Sequence, residues 1–95
     1  MNHAYEATRH ARDRSTARAI PPMIAEIILE FGQSRDAGDG ARKYALTKEG
    51  MRELRRSGGR EITKAVEPYR KRNAYVVATE GRIVTVAYAS TKIFK

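Results

Sequence analysis

Ala74-Tyr75-Val76-Val77-Ala78-Thr79-Glu80-Gly81-Arg82-Ile83-Val84-Thr85-Val86-Ala87-Tyr88 is the stretch whose reading sets the fold. Two β-branched runs flank a two-residue turn ending in glycine, which is the pattern of an antiparallel hairpin. Val76 and Val77 fall on opposite faces of one strand, as do Ile83 and Val84 on the other, so both faces carry apolar groups. One face is expected to meet helices and the other to be partly covered.

Upstream of the hairpin, Ile62, Val66 and Tyr69 share one face of a helical segment, and Pro68 near its end disfavours a helical conformation at Glu67. Ser57-Gly58-Gly59 ends or kinks an earlier helix that runs from Lys48 under a Thr47 N-cap. Leu46 and Met51 have the spacing of a hydrophobic staple, although Gly50 stands where a capping box would place glutamate. Arg42-Lys43-Tyr44-Ala45-Leu46 alternates as a short strand does, and residues 32–41, with three glycines and two aspartates, read as a loop. Before that loop, Met23, Ile24, Ile27, Ile28 and Phe31 repeat at helical spacing behind Pro21-Pro22, with Gly32 as the C-terminal cap. Residues 3–18 contain neither glycine nor proline and predict one more helix, whose Ala4, Ala7 and Ala11 bury only a thin stripe. The resulting order, α-α-β-α-β-β, is an α+β domain with N-terminal helices packed on one face of a small antiparallel sheet that ends in the hairpin.

Ninety-five residues suffice for a single domain, 1–95, with an ordered core over about residues 8–93. The absence of cysteine excludes disulfides, thiolate nucleophiles and zinc-thiolate sites, leaving the core as the source of stability. No stretch approaches the roughly 18 to 20 apolar residues of a membrane helix, and Met1–Glu6 has no signal-peptide character, so the expected protein is soluble and cytoplasmic.

Nineteen Lys and Arg against 11 Asp and Glu give a net charge of +8 and an isoelectric point near 10.2. Nucleic acid is the anionic partner that such a surplus most often serves. Residues 51–75 hold most of it, because Arg52, Arg55, Arg56, Arg60, Lys64, Arg70, Lys71 and Arg72 face only Glu53, Glu61 and Glu67. Arginine predominates there, and its planar fork suits phosphate geometry. Arg70-Lys71-Arg72, between Tyr69 and Tyr75, has the composition to hold a backbone and stack a base, although solvated charge at a helix end has the same appearance.

His10, Arg14 and Arg18 recur every four residues and share one surface of a helix. That surface can bind phosphate and lets His10 act as general acid or base near neutral pH; equally, an Ala-rich helix wears arginines on its wet side. Tyr88 at the end of the last strand, with Thr91 and Lys92 beyond it, can join such a centre, or can serve simply as a core-edge residue. The candidate catalytic set is therefore His10, Arg14 and Tyr88. The candidate nucleic-acid-binding set is Arg18, Arg55, Arg56, Arg60, Arg70, Lys71, Arg72 and Lys92. Two histidines without a carboxylate cluster give no metal site, Gly38-Asp39-Gly40 lacks the ending of a phosphate loop, and no cofactor is implied.

His10-Ala11-Arg12 with Arg14 and Arg18, Ala19-Ile20-Pro21-Pro22, Ile28-Leu29-Glu30-Phe31-Gly32 and Gly81-Arg82-Ile83-Val84-Thr85-Val86 resemble, in that order, small bacterial domains of unknown function related to the BrnT and RelE toxins. The resemblance covers about residues 8–93. It implies the barnase, colicin and RelE type of nuclease fold, RNA as substrate class, metal-independent endoribonuclease toxin activity, and an acidic antitoxin protein as partner. It places His10, Arg14 and Arg18 on the helical motif of that family. Where similar sequences read Gly-His-Arg after the last strand, this chain has Ala87-Tyr88-Ala89, which leaves Tyr88 in the position of the missing groups. That departure favours the alternative of a non-catalytic module, such as a mobile-element protein that binds nucleic acid or an acidic protein.

Overall fold

The computed structural model describes Glu6–Ala7 along the backbone and residues 20–94. Its elements are β1 (Glu6–Ala7), α1 (Pro22–Phe31), β2 (Gln33–Gly38), β3 (Ala41–Ala45), α2 (Lys48–Lys71), β4 (Ala74–Thr79) and β5 (Arg82–Tyr88). The strands form one sheet in the order β1-β5-β4-β3-β2, antiparallel from β2 to β5, with β1 added in parallel on β5. The fold is α+β, as expected, with both described helices on one face. Among the described residues no helix is long and apolar enough to cross a membrane.

The hairpin forms as its residues require. Glu80 and Gly81 both take positive φ, 47° and 77°, as a two-residue turn demands. Val76 pairs with Val86, and a register shift at Val77/Ala78 then brings Ala78 opposite Ile83. Ala74, Val76 and Ala78 are buried on one side of β4, while Tyr75, Val77 and Thr79 are half-buried on the other. The buried side meets Ile24 and Ile28 of α1 and Met51, Leu54 and Val66 of α2. Each such aliphatic side chain contributes about 1.5–3 kcal/mol by leaving water.

Three elements depart from the sequence reading. The described residues run β-α-β-β-α-β-β rather than α-α-β-α-β-β, because residues 33–38, expected as loop, pair with β3. Backbone pairing along a ready strand outweighs the poor strand propensity of Ser, Asp and Gly; the turn itself is confined to Gly38, Asp39 and Gly40, all at positive φ. The charged side chains of Arg35 and Asp36 and the shift before Gly38 blunt this outer edge. At the other edge Glu6 and Ala7 are strand, not helix; the rest of the helix expected over 3–18 lies outside the described residues. Finally, α2 runs through Pro68 to Lys71, held by buried Val66 and by Tyr69 packed on the core, while Pro68 itself is exposed.

The Thr47 cap is present: Gly50 N–H donates to Thr47 Oγ1 at 3.1 Å, and Leu46 and Met51 are both buried beneath it. Glycine stands at 50 because a Cβ there would strike the carbonyl oxygen of Phe31, where α1 ends. Gly32 ends α1 with its N–H bonded to Ile28 O at 2.8 Å, in an extended rather than left-handed conformation. As a straight rod the 24 residues of α2 would span about 36 Å, more than the 33 Å length of the whole molecule. The break lies at Gly59, whose φ of 89° and ψ of −175° are not helical. There the helix doubles back, so that its two ends return to the same end of the sheet.

That conformation belongs to glycine almost alone, so Gly59→Ala is expected to lower stability by about 1–3 kcal/mol. Urea denaturation checks this, and an unchanged midpoint would contradict a required turn at Gly59.

Candidate nucleic-acid interface

The end of β3, both ends of α2, the start of β4 and the C-terminal segment after β5 surround a cleft of about 360 Å³. Lys48 and Arg52 reach it from the first turns of α2, Arg70 from the last turn, and Lys92 from the C-terminal segment; among the described residues Glu49 is the one acid in its lining. Ala45, Leu46, Ile93 and Phe94 add an apolar wall. The doubling of α2 creates this cluster, since Arg52 and Arg70 are 18 positions apart in the chain.

The C-terminal segment is tied down at two points. Asn73, at a φ of 62°, accepts the Ala89 N–H on its carbonyl at 2.9 Å, and its side-chain amide reaches Ala89 O at 3.5 Å. Across the sheet, Arg35 donates to Ile93 O at 3.5 Å and lies over the Phe94 ring at 5.8 Å. Lys92 is thereby carried to the cleft.

The four cations differ in how far they are already paired. Arg52 meets Glu49 at 2.7 Å, but both side chains are about two-thirds exposed and water screens the pair. Arg70 meets Glu67 with side chains only 19% and 32% exposed, which fixes its guanidinium more firmly. Lys48 and Lys92 have no ion pair among the described residues. The cleft therefore keeps positive charge for a ligand.

Of the residues singled out in the sequence, His10, Arg14 and Arg18 lie outside the described residues. Arg70 and Lys92 line the cleft; Lys71 and Arg72 are exposed beside it, at the end of α2. Arg72 stacks on Tyr88, its guanidinium 4.1 Å from the ring centroid, and donates to the hydroxyl at 3.5 Å. Arg55, Arg56 and Arg60 are exposed near the Gly59 turn, so that Arg60 is about 15 Å along the helix from the cleft. Tyr69 and Tyr75 do not flank the basic run together: Tyr69 packs on the core, and Tyr75 lies on the face of the sheet opposite the two described helices, with the Lys43 ammonium 4.9 Å over its ring.

Lys48, Arg52, Asn73 and Phe94 were not among the expected site residues. The signal that could have found Lys48 and Arg52 was the Thr47 cap together with Gly58-Gly59, which brings the helix start next to its end. Comparison with protein-family models, curated proteins and solved structures finds no match to this chain.

Because among the described residues the Tyr88 hydroxyl has a single long bond, to an exposed side chain, Tyr88→Phe is expected to change stability by less than about 0.5 kcal/mol. Arg72→Ala, which removes the stacked guanidinium, is expected to cost about 0.5–1 kcal/mol. Chemical denaturation of the two variants checks this, and a larger loss for Tyr88→Phe would contradict it.

Proposed function

We propose that this chain is a small basic RNA-binding protein whose contact surface is the sheet end formed by the cleft, Lys71 and Arg72. The observation that carries this reading is the convergence of Lys48, Arg52, Arg70 and Lys92, from three separate segments, on one cleft whose described lining holds a single acid, Glu49. Cations on a fixed frame meet phosphates without first being gathered, and counterions released from the nucleic acid drive the association. The apolar wall with Phe94 suits a base that has left its stack.

A second reading, ribonucleolytic toxin activity, draws on the Arg72–Tyr88 pair and on the BrnT and RelE resemblance. Cleavage of a ribose-phosphate backbone needs one group to take the 2′-hydroxyl proton and cations to stabilise the charge that develops on phosphate. Tyr88 and Arg72 bring a hydroxyl and a guanidinium together; His10 and Arg14 would complete the centre, and an acidic antitoxin would cover it. RNA cleavage that is abolished by a His10→Ala/Arg14→Ala double substitution and reduced by Tyr88→Phe is the expected outcome of this reading. Cleavage by neither the wild type nor the variants, with binding retained, would leave the binding module.

For binding itself, a labelled single-stranded RNA should dissociate steeply as salt rises. Replacing Lys71, Arg72 and Lys92 by alanine should flatten the slope of log affinity against log salt by about two to three, while replacing Arg55, Arg56 and Arg60 should change it less. No binding at low salt, or equal effects of the two triple variants, would overturn the assignment.

A further inference from the structure

We propose that the sheet face opposite the two described helices is a stacking platform for unpaired RNA, with Tyr75 as its central ring. The inference rests on the RNA-binding reading and adds a second contact surface to the cleft.

The strand registers lay this face out as a grid. β4 turns Tyr75, Val77 and Thr79 away from α1 and α2, and residues paired with them share their side of the sheet. Gln33, Ala45, Tyr75 and Ala87 form the row at the cleft end, and Arg35, Lys43, Val77 and Thr85 form the next. Gln33 and Ala45 of the first row also line the cleft, and Ala45 is the cross-strand partner of Tyr75. A strand whose phosphates are held in the cleft thus passes onto the sheet beside Tyr75.

The side chains of the two rows suit a nucleobase and its phosphate. Ala45 and Ala87 are buried and bring one methyl each, so the half-buried Tyr75 is the large side chain of its row. The Lys43 ammonium lies 4.9 Å over its ring. A base stacked on the ring outweighs that cation contact, and the displaced ammonium stays within reach of the phosphate attached to that base.

Charge points the same way. Among the described residues of β2 to β5 this face carries Arg35, Lys43 and Arg82 and no carboxylate, while Asp39 and Glu80 belong to the turns at the end away from the cleft. Arg82 has Glu6 of β1 as its register partner, and Arg35 holds Ile93 and Phe94. Lys43, diagonal to Tyr75, is the cation left for the ligand. A duplex keeps its base faces stacked inside and offers such a surface phosphates alone, so the platform favours the unpaired strand.

The test titrates the full chain with a short, internally labelled RNA by fluorescence anisotropy, first single-stranded and then annealed to its complement. The wild type is expected to prefer the single strand. Tyr75→Thr, which removes the ring and keeps a side chain suited to a strand, is expected to weaken single-strand binding about tenfold, the scale of one stacked base, and to leave duplex binding unchanged. Tyr75→Phe, which keeps the ring, should bind the single strand as the wild type does, and circular dichroism checks the fold of both variants. If Tyr75→Thr unfolds, proton NMR of the wild type decides instead: the Tyr75 ring signals move upfield under a stacked base and stay in place without one. Equal wild-type affinity for the two forms, unchanged single-strand affinity in Tyr75→Thr, or an equal loss on both forms overturns the platform and leaves RNA binding at the cleft standing. A wild type that binds neither form overturns the RNA-binding reading as well.

Discussion

Strands β3 and β4 lie side by side and run in opposite directions, so the chain between them must come back to where it left. That chain is helical, and a helix does not turn on its own. The Gly59 backbone supplies the reversal, in a conformation that a side chain would oppose. Much of the core follows from it: Leu54 and Met51 on the outgoing half and Val66 on the returning half pack together against Val76 and Val86 of the sheet. So does the cleft, because the outgoing half begins and the returning half ends at one edge of the structure.

The same constraint explains how a diffuse charge becomes a local one. The +8 of the chain is spread over the whole sequence, and residues 51–75 hold its densest part. Along a straight helix those arginines would form a long stripe. Folding back divides them, with Arg55, Arg56 and Arg60 at the turn and Arg52 and Arg70 at the base, where Lys48 and Lys92 join them. The base also has an apolar wall of Ala45, Leu46, Ile93 and Phe94, and cations beside apolar groups interact more strongly with phosphate than cations surrounded by water.

How much of this was legible in the sequence depends on how local each signal was. The hairpin over Ala74–Tyr88, the α1 stripe and the Thr47 cap were all readable, because turn chemistry, periodicity and capping act over a few residues. The pairing of β2 was not, since Ser34, Asp36 and Gly38 have no strand preference and take that form only because β3 offers partners. Glycine at 50 looked like a defect in a capping motif until the close approach of Phe31 gave it a reason. Arg70 and Lys92 were identified by charge alone, but their meeting with Lys48 and Arg52 needed the direction of the chain after Gly59. His10, Arg14 and Arg18 lie beyond the described residues, and the catalytic reading rests on them.

The central claim is that RNA is met at the end of the sheet where the two ends of α2 converge. Amide NMR of the isotopically labelled chain during titration with a short single-stranded RNA tests it most directly. The account predicts that shifts concentrate at Lys48, Arg52, Arg70, Asn73 and Lys92. Shifts confined to Arg55–Arg60 around the Gly59 turn, or none anywhere at saturating RNA, would contradict it.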